Sequence, residues 1–462
     1  MSYKLAIIWL LPFLCACGRI KLPETVAEAH RKAEMFPDYA GVTVPPNIAP
    51  LDFAIAGRTE SLAFFAGKSG KPLRVEAPEG AFRIPLKAWR RLLRETAGDS
   101  VRVTLYEHAP DGWLRYAPFS FFVSTDSIDG SLVYRRIAPG YRMWGSMGIY
   151  RRDLESFKEE TLIANKQTDH NCMNCHSFCM ESPDKMLFHQ RAAHAGTYLM
   201  EDGKLRQLHP QPDTVHLTYP YWHPSGKFIA FSSNVTHQDF HLADANRIEV
   251  YDVSSDIYLY DCRTQQLTTD SLLSSPKALE TFPAFSPDGK RLYFCSAKAY
   301  PMPESYRKMK YSLLSIPVDA APKTFGSAVD TLYNARTQGR SVSFPRVSPD
   351  GRFLLYTLFD YGNFSIWHKE ADLRLLDLAT LRTDSLPGVN SPDVESYHSW
   401  SSNSRWFVFS SRRIDGLYTR PFLCHIDKNG KTSKPFLLPQ KEPDYYLRSL
   451  YSFNIPELVR KR

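Results

Sequence analysis

The sequence predicts an all-β protein that is built mainly from a β-propeller. A short pattern recurs in its second half, most clearly at residues 286–294 (SPDGKRLYF) and 348–356 (SPDGRFLLY). In each copy the proline sets the first turn residue, the glycine accepts the left-handed position and an apolar strand follows, so the pattern indicates a β-hairpin. Further copies are found at residues 182–188, 223–231 and 401–409.

The spacing of these hairpins is typical of propeller blades. Each hairpin is followed by a second strand pair, and the copies recur about every 40 to 60 residues, which suits one four-stranded blade. Five blades are readable directly. A sixth would have to be completed by strands that lie before Cys172 or after Pro439. Several copies follow an aromatic–proline pair, as at 219–220, 282–283 and 344–345.

Length and composition agree with this fold class. The chain has 462 residues, with 25 Tyr, 28 Phe and 33 Pro, which suits many short strands separated by turns. We expect the propeller to cover residues 165–462. Residues 51–160 predict a small β-rich, sandwich-like domain with one clear helix at 87–96, and residues 18–50 predict a tether with one possible short helix at 24–35.

The N-terminus has the pattern of an export signal over residues 1–17. Lys4 precedes an apolar run at 5–14 that is too short to span a bilayer. The run ends in LCAC at 14–17, which resembles a bacterial lipobox, although Cys15 is an unusual occupant of its position. Cys17 would then be lipidated; an ordinary secretory signal cut nearby is the alternative. We therefore expect a lipoprotein of the cell envelope that faces the periplasm, with the outer membrane as its site.

The charge of the chain also bears on its partners. The formal net charge is +8. For an exported protein this balance favours a solvated surface near anionic lipid or an acidic partner and not nucleic acid. The expected partners are the membrane, reached through the lipid anchor, and an envelope protein or glycan.

One motif carries specific chemistry. Cys172, Cys175 and His176 (CMNCH) form the attachment signature of a c-type haem. Each thiol would bond one vinyl group of the porphyrin, and the histidine would bind the iron from the proximal side. The second axial ligand is predicted to be His189, which ends the apolar strand MLFH. Other candidates for it are the nearby residues Met143, Met147, Met180, Met186, His194 and Met200.

Three other interpretations of this motif stay open. Cys172, Cys175 and the additional Cys179 could hold structural zinc, two of these cysteines could form a disulfide, or the run could be accidental. Cys262, Cys295 and Cys424 stand singly among apolar residues and are expected to be buried.

No catalytic residue is predicted. A propeller-capped serine peptidase would need a glycine-flanked nucleophile and a late histidine, and nothing like it follows Pro439. A metal hydrolase would need a focused ligand cluster, whereas the polar residues between 209 and 244 are more typical of turns and surface. These residues are His209, His216, His223, His237, Asp239, His241 and Asp244.

The recurring FSPDGKRLYF run at 285–294 resembles the repeat of TolB-like β-propellers, which is similar to that of the prolyl-oligopeptidase propeller. With the lipobox and CMNCHSF, the chain resembles an exported lipoprotein group of Bacteroidetes-type bacteria. The resemblance implies the fold and the compartment and leaves the activity open. We expect either a haem-bearing redox, electron-transfer or sensing protein that also binds a partner, or a non-enzymatic scaffold for a protein or glycan.

Overall fold

The computed structural model describes residues 20–139, 146–319, 321 and 323–461, except for the side chain of Cys175. The predicted signal peptide and Cys17 therefore lie outside the described residues. The chain is an all-β protein with a β-propeller, as the repeated hairpins predict. None of the helices in the described ranges is long and apolar enough to cross a membrane.

An N-terminal domain precedes the propeller. Its strands are β1 (Ala27–Glu28), β2 (Met35–Phe36), β3 (Thr43–Val44), β4 (Phe53–Ile55), β5 (Ser61–Ala66), β6 (Leu73–Ala77), β7 (Ala81–Phe82), β8 (Asp99–Ala109), β9 (Gly112–Arg115) and β10 (Phe119–Val123). β2, β4 and β7 form a small sheet, and the other strands form a larger one. Phe53 and Phe119 join the two sheets, with ring centroids 6.4 Å apart.

The predicted helix is present as α1 (Leu86–Thr96). Its buried face carries Trp89, whose indole contacts Phe65 and Phe121 and donates a hydrogen bond to the Ile48 carbonyl at 3.0 Å. The helix thereby fixes residues that lie outside the predicted domain, because Ile48 belongs to the segment expected to be a tether.

The tether prediction is wrong for residues 20–50. Tyr39, Val42, Val44 and Ile48 are buried, and β3 pairs with β10. The predicted short helix at 24–35 is absent from the described chain, where β1 and β2 lie instead. The proline-rich composition suggested a linker, but prolines also favour extended backbone, and the alternating Val42 and Val44 bury their side chains from it.

The propeller begins with strands that the sequence assigned to the N-terminal domain. β11 (Ser131–Ile137), β12 (Met147–Asp153) and β13 (Glu159–Ala164) form a sheet whose fourth strand comes from the C-terminus. The domain boundary expected near residue 160 therefore lies before β11. This sheet is called blade 6 below.

Blades 1 to 5 follow in chain order. Blade 1 contains β14 (Met173–Phe178), β15 (Lys185–Gln190), β16 (Gly196–Glu201) and β17 (Lys204–Gln207). Blade 2 contains β18 (Thr218–Trp222), β19 (Phe228–Phe240), β20 (Ile248–Asp261) and β21 (Leu267–Thr268). Blade 3 contains β22 (Ala278–Phe285), β23 (Arg291–Lys298), β24 (Ser312–Asp319), β25 (Thr324–Phe325) and β26 (Asp330–Tyr333).

The last two blades and the closing strand complete the ring. Blade 4 contains β27 (Ser341–Val347), β28 (Phe353–Phe359), β29 (Asp372–Asp377) and β30 (Thr383–Asp384), after the short α2 (Ala335–Gln338). Blade 5 contains β31 (Glu395–Trp400), β32 (Trp406–Ser411), β33 (Arg420–His425) and β34 (Phe436–Leu437). The short α3 (Tyr445–Arg448) leads into β35 (Ser452–Val459).

β35 closes the propeller. It pairs antiparallel with β11, with Leu458 opposite Leu132, and becomes the innermost strand of blade 6. The innermost strands β14, β18, β22, β27, β31 and β35 each contact the next, and β35 also contacts β14. The sixth blade therefore uses both strands before Cys172 and a strand after Pro439. Closure leaves no unpaired innermost strand, which is how propellers protect sheet edges.

The N-terminal domain is anchored to blade 5. The Ser402 hydroxyl donates to Asp129 at 2.6 Å, and the Trp406 indole donates to the Asp126 carbonyl at 3.0 Å. The Asp126 carboxylate also lies 2.8 Å from His425 Nε2. Trp406 is fully buried at this contact, so the domain and the propeller share one apolar core there.

Candidate functional site in the central channel

The innermost strands share one irregularity that shapes the channel. In each, the pairing with the neighbouring strand shifts by one residue at the same place, so that two residues of the innermost strand lie opposite one residue of its partner. The two displaced residues are Cys175–His176 in β14, Tyr219–Pro220 in β18, Phe282–Pro283 in β22, Phe344–Pro345 in β27, Tyr397–His398 in β31 and Ile455–Pro456 in β35. A bulge suits proline because the bulged nitrogen donates no ladder hydrogen bond.

The second half of the CMNCH motif is therefore the blade 1 copy of a repeated element. Cys175 takes the backbone position of the aromatic residue in other blades, and His176 takes the position of the proline. The aromatic residues at this position have positive φ angles, 53° for both Phe282 and Phe344. Such angles are uncommon outside glycine and turn these side chains out of the regular alternation of the strand.

The aromatic residues meet in the centre of the ring. The ring centroids of Phe282 and Phe344 lie 4.1 Å apart, Tyr219 lies 4.5 Å from Phe282, and Tyr397 lies 4.8 Å from Phe344. Tyr219 and Phe344, which come from blades 2 and 4, are also within 6.1 Å of each other. We call these four residues the aromatic plug, because they fill the channel at the level of the bulge.

Two histidines lie beside the plug. His176 and His398 are 4% and 1% exposed, and neither His176 Nε2 nor either ring nitrogen of His398 has a hydrogen-bond partner among the described residues. Burial lowers the pKa of each to about 3, helped by the charges of Arg135 for His176 and Arg346 for His398. Both imidazoles are therefore neutral at pH 7.

A cationic side chain follows the bulge in blade 4. Arg346 donates from Nη1 to the Pro345 carbonyl at 2.8 Å, and its guanidinium carbon lies 5.0 Å from the centre of the Tyr221 ring. No carboxylate of the described residues lies within ion-pair distance of it. Burial lowers the pKa of Arg346, but an arginine stays charged at any ordinary pH.

An acidic side chain occupies the equivalent position in blade 6. Glu457 accepts a hydrogen bond from the Phe178 backbone N–H at 2.9 Å. Burial raises the pKa of Glu457 to about 8, although that hydrogen bond and the charge of Arg346 act in the opposite direction. The carboxyl is therefore mainly protonated at pH 7 and able to donate as well as accept.

Two small cavities connect these groups. One of about 20 Å³ lies beside the plug and is lined by His176, His398, Arg346 and Glu457, among others. The other, of about 80 Å³, shares Arg346, Ser399 and Glu457 with the first and extends to Tyr221, Trp222, Trp400 and Glu181. The first holds about one water molecule, and the second has room for a small polar group.

The opposite end of the channel is covered by a long hairpin. β19 and β20 continue well beyond blade 2, and Asn246 reaches His368 of blade 4 at 3.3 Å. The buried Asp252 carboxylate accepts hydrogen bonds from Asn234 at 2.6 Å and Asn363 at 2.5 Å, which ties blade 2 to blade 4. The cavities near Arg346 are therefore reached from the side of the Ser-Pro-Asp-Gly turns.

The predicted haem ligands lie in separate surroundings. Cys172 is a free thiol, buried among apolar side chains between blades 6 and 1, such as Met147 and Ile149. His189 in β15 has Nδ1 2.8 Å from the Thr197 hydroxyl, and burial lowers its pKa to about 3. It lines a groove of about 610 Å³ that includes neither Cys172 nor His176.

The described residues do not fit a covalently held haem in this arrangement. A pocket for a cofactor of this size measures several hundred Å³ (roughly 300 to 1,000), whereas the cavity beside His176 measures about 20 Å³. His176 Nε2 does have the unpartnered, neutral character of an iron ligand. The thiol of Cys172 is nevertheless buried in an apolar cluster, and the imidazoles of His176 and His189 line two different spaces.

The other metal interpretations find no support either. Within the described residues no group of three or more His, Cys, Asp or Glu side chains is placed to hold a metal ion. Cys179 is a free, buried thiol whose pKa is raised to about 11. The suggested histidine cluster is dispersed: His223 contacts Ser225, His237 stacks on Tyr251, and His241 faces Glu249.

Sequence reasoning identified His176 but missed Arg346, His398 and Glu457. The signal for Arg346 and His398 is present in the sequence, because His398 replaces the proline of the repeated aromatic–proline pair and Arg346 directly follows that pair in blade 4. What the sequence does not show is that these positions converge in one channel.

Comparisons with known proteins agree only on general architecture. The chain matches no protein-family model and no curated protein. Among solved structures, it is similar to prolyl oligopeptidase B from Galerina marginata, with 10% identity over 72% of this chain and 42% of that chain and a TM-score of 0.35. It is also similar to Porphyromonas gingivalis dipeptidyl peptidase 4, with 11% identity over 90% and 60% of the two chains and a TM-score of 0.31. The chain thus spans less than half the length of the prolyl oligopeptidase.

Proposed function

We propose that the chain is a non-catalytic binding propeller of the cell envelope that holds a ligand at the open end of its central channel. The observation that carries this proposal is Arg346, a partly buried cation that lines both cavities of the channel and has no carboxylate within ion-pair distance among the described residues. Partial removal of a guanidinium from water is unfavourable unless an opposite charge accompanies it, so a molecule that supplies this charge would bind there with a gain.

The surrounding residues support binding better than catalysis. His176 and His398 are neutral, and among the described residues neither Nε2 of His176 nor either ring nitrogen of His398 has a serine, cysteine or carboxylate as a hydrogen-bond partner. A nucleophile paired with such a base is what hydrolytic catalysis requires. The channel offers fixed donors instead, which suits recognition.

The envelope location forms part of the same proposal. Lipidation of Cys17 would tether the N-terminal domain to a membrane, and the domain contacts blade 5 through Asp126 and Asp129. The channel mouth would then face the periplasm. Cys17→Ser should move the protein from the membrane fraction to the soluble fraction, and unchanged membrane association would contradict the anchor.

The binding function is tested by identifying the molecules that the purified protein retains. Purified full-length protein is incubated with a periplasmic extract, passed through a desalting column and denatured, and released molecules are identified by mass spectrometry. Ser399→Trp, which fills the channel beside Arg346, serves as the comparison. Enrichment by the wild type and not by Ser399→Trp supports the proposal; equal profiles contradict it.

The mass of the intact protein distinguishes the haem hypothesis from the binding proposal. In cells competent for haem attachment, we expect a mature mass without haem and no Soret band after denaturation. A covalent haem on Cys172 and Cys175 would contradict the binding-scaffold proposal and restore the redox interpretation.

A further inference from the structure

The ligand chemistry of the channel can be read from its hydrogen-bonding groups. Arg346 carries five N–H donors, and the Pro345 carbonyl is the one acceptor within hydrogen-bond distance among the described residues. The neutral rings of His176 and His398 and the Ser399 hydroxyl also line the inner cavity, although backbone carbonyls beside the two rings attract their N–H groups as well. One positive charge surrounded by donors indicates an anion.

The nearby acids do not fill this role. Glu457 is the nearest acidic group on the channel wall, yet it makes no ion pair with Arg346 and its pKa is raised to about 8. Glu181, which lines the outer cavity, has its pKa raised to about 7 by burial and by the charge of Asp129. Both therefore carry reduced charge near neutral pH, and the guanidinium lacks a full counter-ion.

The size and walls of the cavity narrow the class of anion. A planar carboxylate matches the fork of a guanidinium with two parallel hydrogen bonds, and a protonated Glu457 can donate a third. Tyr221, Trp222 and Trp400 line the outer cavity and offer apolar surface beyond the charge. A phosphate dianion would call for a second cation, and among the described residues no Lys or Arg other than Arg346 lines either cavity.

We propose that Arg346 binds the carboxylate of an apolar organic acid, which enters from the side of the Ser-Pro-Asp-Gly turns and rests its apolar part on Trp222 and Trp400. The carboxylate belongs either to a free small acid or to the C-terminus of a peptide. This inference rests on the proposed binding function and names the ligand class of that site.

Binding of defined probes tests the inference. Isothermal titration of the full chain compares phenylacetate with phenylacetamide, and a tripeptide ending in Phe with its C-terminal amide. We expect at least one acid to bind and its amide to bind about tenfold more weakly or worse, because the amide leaves the guanidinium without a charge. Tight binding of phenylacetate indicates a small acid, whereas binding of the peptide alone indicates a C-terminus. Equal affinity for acid and amide, or competition by inorganic phosphate, would overturn the inference.

Variants locate the site. Arg346→Gln should weaken acid binding about tenfold or more, Arg346→Lys should retain part of it, and Arg352→Gln should leave it unchanged. Arg352 is the matched control, since it lies on the same blade but its side chain is 44% exposed. If Arg346→Gln does not fold, tryptophan fluorescence of the wild type still locates the site. The acid should change this fluorescence, and Trp400→Phe should reduce the change. Acid binding without any fluorescence change would place the site elsewhere.

The two proposals fail in distinguishable ways. If the extract experiment yields a retained molecule that lacks a carboxylate, the binding function stands and the carboxylate inference is wrong. If the protein retains no molecule from the extract and binds none of the acids, both proposals are wrong.

Discussion

His176 and His398 occupy the same position of their strands: each replaces the proline that follows the bulged residue in the other four innermost strands of the described propeller. The equivalence explains why a histidine of a haem-type motif lies in the channel wall. It also shows that the backbone at this position is compatible with proline.

The first prediction uses this equivalence. His398→Pro should fold with a free energy of unfolding within about 1 kcal/mol of the wild type, because proline suits the bulge and restricts the unfolded chain. Ser396→Pro, two residues earlier, is the control: Ser396 pairs with Ser410 in the ladder, and its replacement should cost about 3 kcal/mol or more. Urea unfolding monitored by circular dichroism measures both. Failure of His398→Pro alone would contradict the equivalence.

A second prediction concerns Glu457 and the pH dependence of the free energy of unfolding. Burial raises the pKa of Glu457 to about 8, whereas an unfolded glutamate has a pKa of about 4.3. Between these values the folded state holds a proton that the unfolded state releases, so the free energy of unfolding falls as pH rises. Glu457→Gln should remove this slope, and its stability relative to the wild type should rise by up to about 1.4 kcal/mol per pH unit. Unfolding of both proteins at pH 5 to 8.5 measures this difference in stability, and Glu304→Gln, at an exposed glutamate, is the control. Parallel curves for Glu457→Gln and the wild type would contradict the raised pKa of Glu457.

A third prediction is that acid lowers the free energy of unfolding through the buried histidines. Burial lowers the pKa of His398 to about 3, below the value of about 6.5 in an unfolded chain. The unfolded state therefore binds the proton first, and the stability contributed by the neutral ring is lost as pH falls from about 6.5 toward 3. His398→Gln should lose less stability than the wild type over this range. His108→Gln, at a half-exposed histidine, is the control; an unchanged acid profile for His398→Gln would contradict the prediction.

Closure of the ring can be tested by truncation. Deleting residues 452–462 removes β35 and exposes the edge of β11, so we expect loss of the cooperative thermal transition. Deleting only residues 461–462 keeps every pair between β35 and β11 and should retain the transition. A cooperative transition in the longer deletion would mean that blade 6 is dispensable.

The sequence predicted the blades better than their closure. The Ser-Pro-Asp-Gly turn is a local signal, so five hairpins were readable one by one. β35 has no such signal, because no short turn joins it to its partner β11, which lies at the other end of the propeller. The same long-range pairing explains why the domain boundary lies before β11, whereas the sequence predicts it near residue 160.

The site was predictable only in part, for the same reason. The spacing of Cys172, Cys175 and His176 is a local pattern that predicts haem attachment. The repeated bulge that places His176 in the channel is visible only in the pairing of the strands. Arg346 and Glu457 are ordinary residues in sequence. They become a site because ring closure brings blades 4 and 6 around one channel.

The pairing of β11 with β35 also has a consequence for the order of synthesis. β11 is made before the five blades that follow it, yet the strand that completes its sheet is made only after all five of them. Until then the growing polypeptide carries one blade without its innermost strand and a channel open along its side. A site that uses both Arg346 and Glu457 cannot form before β35 has been made, because Glu457 lies on that strand.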